Sequence, residues 1–214
     1  MDKTAYFEQM RRRRRTEILN AAREMILTHG LTDFNIQQLA RDLDISTVTL
    51  YKYFKNSDDI MSAIKEQIVQ DSISRMHFPE ASGSDQSGLD LFLGMIHDFF
   101  AEALSHRDDV TLLLLFKVQM RGNSDAETRD SSVHTLLRKF EEKMRELLYS
   151  AAEDGSVKSD LDIDESIQFI TRMNLSLLHY IGLLSADKYD KEKDAVRKLI
   201  DEMIHMFSLY LTSP

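Results

Sequence analysis

Apolar residues recur at three- and four-residue intervals along most of the chain, the spacing that gathers them on one face of an α-helix. From about residue 8 to 28, Ile18, Leu19, Ala22, Met25 and Ile26 form such a stripe, and His29-Gly30 ends it. Glycine often follows a helix because it accepts a positive φ without strain. A second helix opens at Phe34-Asn35-Ile36-Gln37-Gln38-Leu39. Asn35 can cap it, Gln38 three residues on can complete a capping box, and Phe34 can staple onto Leu39. Leu39, Ala40 and Leu43 continue the apolar face. Asp44 then offers a residue that tolerates a left-handed turn, Ile45 points inward, and Ser46 can cap a third helix. In that helix Leu50 and Phe54 suit a core, whereas Val48, Thr49, Lys52 and Tyr53 suit a surface that something else reads. A helix, a tight turn and a short outward-reading helix form the layout of a helix-turn-helix, whose second helix enters the DNA major groove.

The helical pattern does not stop there. Asn56 or Ser57 can cap a fourth helix, with Asp58 and Asp59 in its first turn where the helix dipole favours acids, running through Ile60, Met61, Ile64 and Ile68 to about residue 75. Residues 78–88 read as a linker. Further helices are predicted at about 89–105, 108–121, 127–153, 163–186 and 191–212, with breaks at 122–125, 154–156 and 187–190. With only 7 Gly, 2 Pro and no strand-like alternation, the predicted fold class is all-α. An N-terminal helix-turn-helix domain over residues 1–58 precedes a larger helical domain over 59–214, and the helix at about 57–75 connects them.

Composition changes this picture in three places. Cys is absent, so no disulfide framework, thiolate metal site or thiol nucleophile exists; a reducing, cytoplasmic setting is expected. The longest apolar run, Leu112 to Phe116, is far short of the roughly 20 residues a bilayer span needs, and no apolar stretch follows the N-terminal charges as in a secretory signal. The net charge of −9 hides an asymmetry: residues 1–60 hold 10 Lys/Arg and 9 Asp/Glu, and the rest 17 and 27. The positive charge is concentrated at Arg11-Arg12-Arg13-Arg14-Arg15. Attraction to DNA belongs to one face, so an acidic second domain does not forbid it.

The ordered set Ile18-x-x-Ala21-Ala22, Gly30, Ile36-x-x-Leu39-Ala40, Ile45-Ser46, Leu50-Tyr51-x-Tyr53-Phe54 and Ile60 resembles the tetracycline-repressor (TetR) family of transcriptional regulators over about residues 14–65. The later half matches only in length, helical content and the turn over 154–162 before a long apolar helix. Some positions depart from the family pattern. Leu43-Asp44 stands where Ala-Gly is frequent, Asn35 where Thr or Ser is, and Ser57 where a phosphate-binding Lys is usual, with Lys55 two residues earlier as a candidate substitute. The resemblance implies a homodimer on a palindromic DNA operator, acting as a repressor and released by a small effector.

The candidate DNA contacts are then Thr47, Val48 and Thr49 for base edges, and Tyr51, Lys52, Tyr53 and Lys55 for phosphates, with Asn35, Gln37 and Ser57 nearby. The arginine run has three readings: a solvated helix start, an arm on the DNA, or an import tag. Beside a helix-turn-helix the DNA reading is favoured, and Arg12, Arg13 and Arg14 are its candidates. The effector pocket is expected among apolar side chains with a few polar ones: Phe99, Phe116, Met120, His134, Met173, Asn174 and Tyr180. His97, His134 and His179 can meet there or stand apart; their spacing is no recognisable metal motif. Wide apolar stripes on the last two helices suggest burial against a second subunit, through Ile170, Leu177, Leu178, Leu199, Met203, Phe207 and Tyr210. No cofactor is expected. There is no zinc-protease pair, glycine-rich phosphate loop or nucleophile elbow, which disfavours an enzyme. The remaining alternative is a DNA-binding regulator without a small-molecule effector, sensing a protein or acting constitutively.

Overall fold

The computed structural model describes residues 3–80, 85–119 and 131–212, and every regular element among them is an α-helix. They are α1 (Lys3–His29), α2 (Ile36–Asp42), α3 (Thr47–Tyr51), α4 (Ser57–Arg75), α5 (Gly88–Ser105), α6 (Arg107–Gln119), α7 (Ser131–Glu153), α8 (Ile163–Leu183) and α9 (Ala186–Thr212).

Local chemistry sets most of these ends. Gly30 follows α1 at φ 86°. The side chains of Asn35, Ser46, Asn56, Ser87 and Asp162 each accept a backbone N–H from the first turn of the helix they precede, filling positions that otherwise lack a partner. Two expectations fail. Gln38 does not close a capping box; its amide binds Asp42 Oδ1 at 2.5 Å and its oxygen accepts from Arg41. The break expected at 187–190 lies instead at Leu184-Ser185, because Ser185 Oγ accepts the Lys188 N–H and lets α9 begin at Ala186.

Two hydrophobic clusters form the interior. The first holds Ile18, Ala22 and Ile26 of α1, Leu39 of α2, Leu50 of α3, Phe54, and Ile60, Ile64 and Ile68 of α4, and it also takes in Leu112 and Phe116 of α6. The second joins α5, α7, α8 and α9 around Phe92, Phe100, Met144, Leu148, Ile170, Ile181 and Phe207. The N-terminal core therefore crosses residue 58 and recruits part of α6. Two glycines allow close helix approach. A Cβ on Gly88 would stand 2.7 Å from the Ala151 Cα, and one on Gly182 would stand 2.6 Å from Leu114 Cδ1.

The interface expected on α8 and α9 is corrected in part. Ile170, Leu177, Met203 and Phe207 are buried inside their own chain, because α5 packs against the face of α9 that carries Met203 and Phe207. Leu178 is half-buried, while Leu199 and Tyr210 are exposed. The large apolar side chains that α8 and α9 do expose include Phe169, Tyr180, Leu183, Met206 and Leu209.

Candidate DNA-reading surface and effector cavity

The turn between α2 and α3 is built by backbone bonds from Asp44 N to Arg41 O at 3.0 Å and from Ile45 N to Ala40 O at 3.0 Å. Asp44 sits at φ 51°, the one positive-φ non-glycine among the described residues. Its short polar side chain makes that conformation tolerable. Ser46 then caps α3, accepting Thr49 N at 3.0 Å, and its Oγ lies 2.8 Å from Thr49 Oγ1. Leu50 and Phe54 are buried and anchor α3 to α1 and α4. Val48 is left 68% exposed, with Tyr51 and Lys52 exposed and Thr47 and Thr49 half-buried. Tyr53, expected to be dispensable for the core, packs partly against it.

The flanking candidates take varied positions. Asn35 Oδ1 is committed to the Gln38 N–H at 2.8 Å, and Gln37 is exposed beside it. The Lys55 side chain is exposed while its backbone N–H donates to Asp59 at 3.0 Å. Ser57 is half-buried at the first position of α4. In the arginine run, Glu17 binds Arg13 at 3.3 Å and Arg14 at 2.9 Å. The Arg15 guanidinium lies 4.7 Å from the centre of the Phe54 ring, within cation–π range. Arg11 and Arg12 are exposed.

A cavity of about 190 Å³ lies among α4, α5, α6, α7 and α8. Its walls are mainly apolar: Ile68 and Met76, Phe99 and Ala103, Leu113, Leu114 and Phe116, Leu136, Leu137 and Phe140, Leu175 and Leu178. Polar groups reach it from Lys65, Ser72, Glu102, His106, Asp109, Lys117 and His179. This is the composition of a small-molecule site, apolar with a few orienting groups.

Residues 18–64 match the model of the bacterial regulatory proteins of the tetR family. That stretch is a tetR-family DNA-binding domain. Two curated repressors and regulators extend the likeness beyond the helix-turn-helix. The HTH-type transcriptional repressor KstR2 of Mycolicibacterium smegmatis is 24% identical over 159 residues, 73% of this chain and 74% of that protein. The fatty acid metabolism regulator protein of Bacillus subtilis is 23% identical over 154 residues, 72% and 76%. Solved structures agree in fold: the ketosteroid transcriptional regulator KstR2 of Mycobacterium tuberculosis superposes at TM-score 0.65 and 17% identity, over 94% of this chain and 96% of that one. FadR from Bacillus subtilis in complex with stearoyl-CoA does so at 0.60 and 15%, over 90% and 97%. The chain thus carries a tetR-family DNA-binding domain, and its described residues share the helical fold of those solved structures.

The cavity is only partly the one the sequence pointed to. Phe99 and Phe116 line it. Met173, Asn174 and Tyr180 do not: α8 turns Leu175, Leu178 and His179 to the cavity, so their neighbours face elsewhere. Met173 packs against the second core, and Tyr180 is exposed and donates to Glu192 at 3.2 Å. Asn174 is 3% exposed, and both its amide atoms lack a hydrogen-bond partner. His134 is exposed, and Met120 lies outside the described residues. Of the three histidines considered together, His179 alone lines the cavity, and His97 is exposed. Among the described residues no group of three His, Cys, Asp or Glu is placed to hold a metal ion, and no helix is long and apolar enough to cross a membrane.

The charged cavity residues were not singled out from the sequence, because they read as ordinary surface positions of amphipathic helices. The fold gives them partners from both units. Arg23 of α1 pairs with Asp109 of α6, and Arg75 at the end of α4 pairs with Glu102 of α5 and reaches Asp109 at 3.5 Å. His106 Nδ1 lies 3.0 Å from Glu102 Oε1. Arg107 donates to the Ile181 and Leu184 carbonyls and lies over the Tyr189 ring at 4.7 Å, tying the start of α6 to the end of α8. Lys65 on the cavity wall is only 6% exposed.

Proposed function

We propose that this regulator is a ligand-responsive repressor that binds a palindromic operator as a homodimer and leaves it when a small, mainly apolar effector fills the cavity. Residues 1–58 serve as the reading unit and 59–214 as the effector and dimer unit, with α4 common to both. Thr47, Val48 and Thr49 meet base edges. Tyr51, Lys52, Lys55 and the Tyr53 hydroxyl meet phosphates, with Asn35, Gln37 and Ser57 beside them at the starts of α2 and α4.

One residue carries the reading of a switch. Phe116, 1% exposed, belongs to the same core as Leu50 and Phe54 and also lines the cavity. A ligand that moves Phe116 or Ile68 therefore pushes on the packing that holds α3. An effector must bind the two conformations unequally, since equal binding shifts nothing.

The relatives suggest an effector class. KstR2 is described as a ketosteroid regulator and FadR was solved with stearoyl-CoA, so a lipid-derived molecule with an apolar skeleton and a polar end suits these walls. The experiment is to select an operator from random duplexes and measure its affinity with and without stearoyl-CoA or a steroid shown to bind. Release should weaken operator binding by about 5–150-fold, and operator should weaken effector binding by the same factor. Equal affinities with a bound ligand would leave a DNA-binding regulator that no small molecule operates.

A further inference from the structure

Helix α1 is longer than the core requires. Residues 4–13 are all exposed, and the first residue of α1 to enter the core is Ile18. At 1.5 Å per residue the stretch of helix ahead of Ile18 extends for roughly 20 Å. Residues 3–15 carry six Lys/Arg against one Glu. The root of this arm is tied to the helix-turn-helix, because the Arg15 guanidinium packs on the ring of Phe54, a core residue three positions beyond the last residue of α3. Arg11 lies one turn before Arg15 and so on the same side of the helix. With Arg13 and Arg14 engaged by Glu17 and Arg15 by the Phe54 ring, Arg11 and Arg12 are the cations of the run with neither an ion pair nor a ring partner among the described residues. Further out, Tyr6, Phe7 and Met10 are exposed, Phe7 by 68%.

We propose that this helical arm lies along the DNA outside the half-site that α3 reads, with Arg11 and Arg12 on phosphates and the Tyr6–Phe7 pair against the groove wall. The inference rests on the DNA-reading role of α3 and adds a second contact surface to it. Charge selects the partner. A second copy of the arm would bring the same excess of cations, whereas the duplex carries one negative charge per about 1.7 Å. An arm of roughly 20 Å covers about six base pairs at 3.4 Å each. Contacts of this kind fix position and add affinity without reading sequence.

The test uses the full chain and the operator it selects from random duplexes. Affinity is measured on duplexes that end two base pairs beyond the operator and on duplexes that extend ten base pairs further, at several salt concentrations. The longer duplex should bind roughly tenfold more tightly at low salt, with a salt slope steeper by about 0.9 for each phosphate gained. Arg11→Gln with Arg12→Gln should remove that gain and leave short-duplex affinity and sequence preference unchanged. Arg13→Gln should keep it. Equal binding of the unaltered chain to short and long duplexes overturns the arm and leaves the reading role of α3 intact. So does an equal loss on both duplexes in the Arg11/Arg12 variant, which would put these arginines inside the half-site. Failure to select any operator removes both.

Discussion

The angle between α2 and α3 depends on one residue. Asp44 occupies the left-handed region at φ 51°, where a β-branched side chain clashes with its own carbonyl. Asp44→Gly should leave stability unchanged or slightly raised. Asp44→Val should lower it by about 1–2 kcal/mol, read as a shift of the urea midpoint at constant slope. Beyond the turn, the sequence nominated Thr47, Val48 and Thr49 equally, and the structure separates them. Thr49 Oγ1 is held by Ser46 Oγ at 2.8 Å, whereas Val48 stands clear. Val48 is therefore expected to carry more of the sequence preference, and replacing it should change discrimination at one base pair by about 1–3 kcal/mol in a selection experiment. Lys52→Ala should instead weaken binding to all sequences and reduce the salt slope by about 0.9. Asp44 and Ser46 were legible because their chemistry acts within three residues. Gln38 was not, since its amide had two local partners and the sequence does not say which one wins.

Between elements, the joint of α5 with α7 depends on a small residue and a carboxylate. Asp154, just past α7, accepts the Gly88 N–H at 2.6 Å and the Ser156 N–H at 2.8 Å. The bond from Gly88, followed by those from Ser156, holds its carboxyl below the usual carboxylate range. A depressed carboxyl contributes stability that is complete above its unfolded pKa and is lost as pH falls through its folded value. Below about pH 4 the chain should therefore lose stability more steeply than Asp154→Asn, which lacks that titration; urea midpoints measured across the acid range check this. Gly88→Ala should be the harsher change at the same joint. Its Cβ would meet the backbone of Ser150 and Ala151, which cannot yield as a side-chain tip can. The glycine looked like the end of a linker in the sequence, because nothing local marks a close approach to a residue more than sixty positions away.

At the scale of the whole molecule, Leu183, Leu199, Met206 and Leu209 leave an apolar surface on α8 and α9, and a dimer of this regulator would bury it. Asp at Met206 and Leu209 together should give a folded monomer by sedimentation at micromolar concentration, because each interface would otherwise bury unpaired charges at several kcal/mol. The same substitution at Met203 or Phe207 would report on folding, since both are buried within the chain. For the cavity, Trp at Leu137 should fill space without entering the N-terminal core, which Phe116 cannot avoid. That variant should keep operator affinity and lose its response to effector, compared in one titration with and without ligand.

Sequence alone determined what acts over a few residues or repeats along a helix. That covers the all-helical class, the caps at Asn35 and Ser46, the left-handed turn at Asp44, and the exposed face of α3. Helical periodicity makes these visible because a buried face repeats every 3.6 residues. What the periodicity cannot say is which of several helices covers a given face. Only tertiary packing decided that Phe207 and Met203 belong to the chain's own core, that Leu175, Leu178 and His179 rather than Met173, Asn174 and Tyr180 face the cavity, and that Phe116 joins the core of α1–α4 and also lines the cavity. The same holds for the pairs Arg23–Asp109 and Arg75–Glu102. Each joins residues far apart in the chain, where a charge carries no mark of its partner until the fold brings the two together.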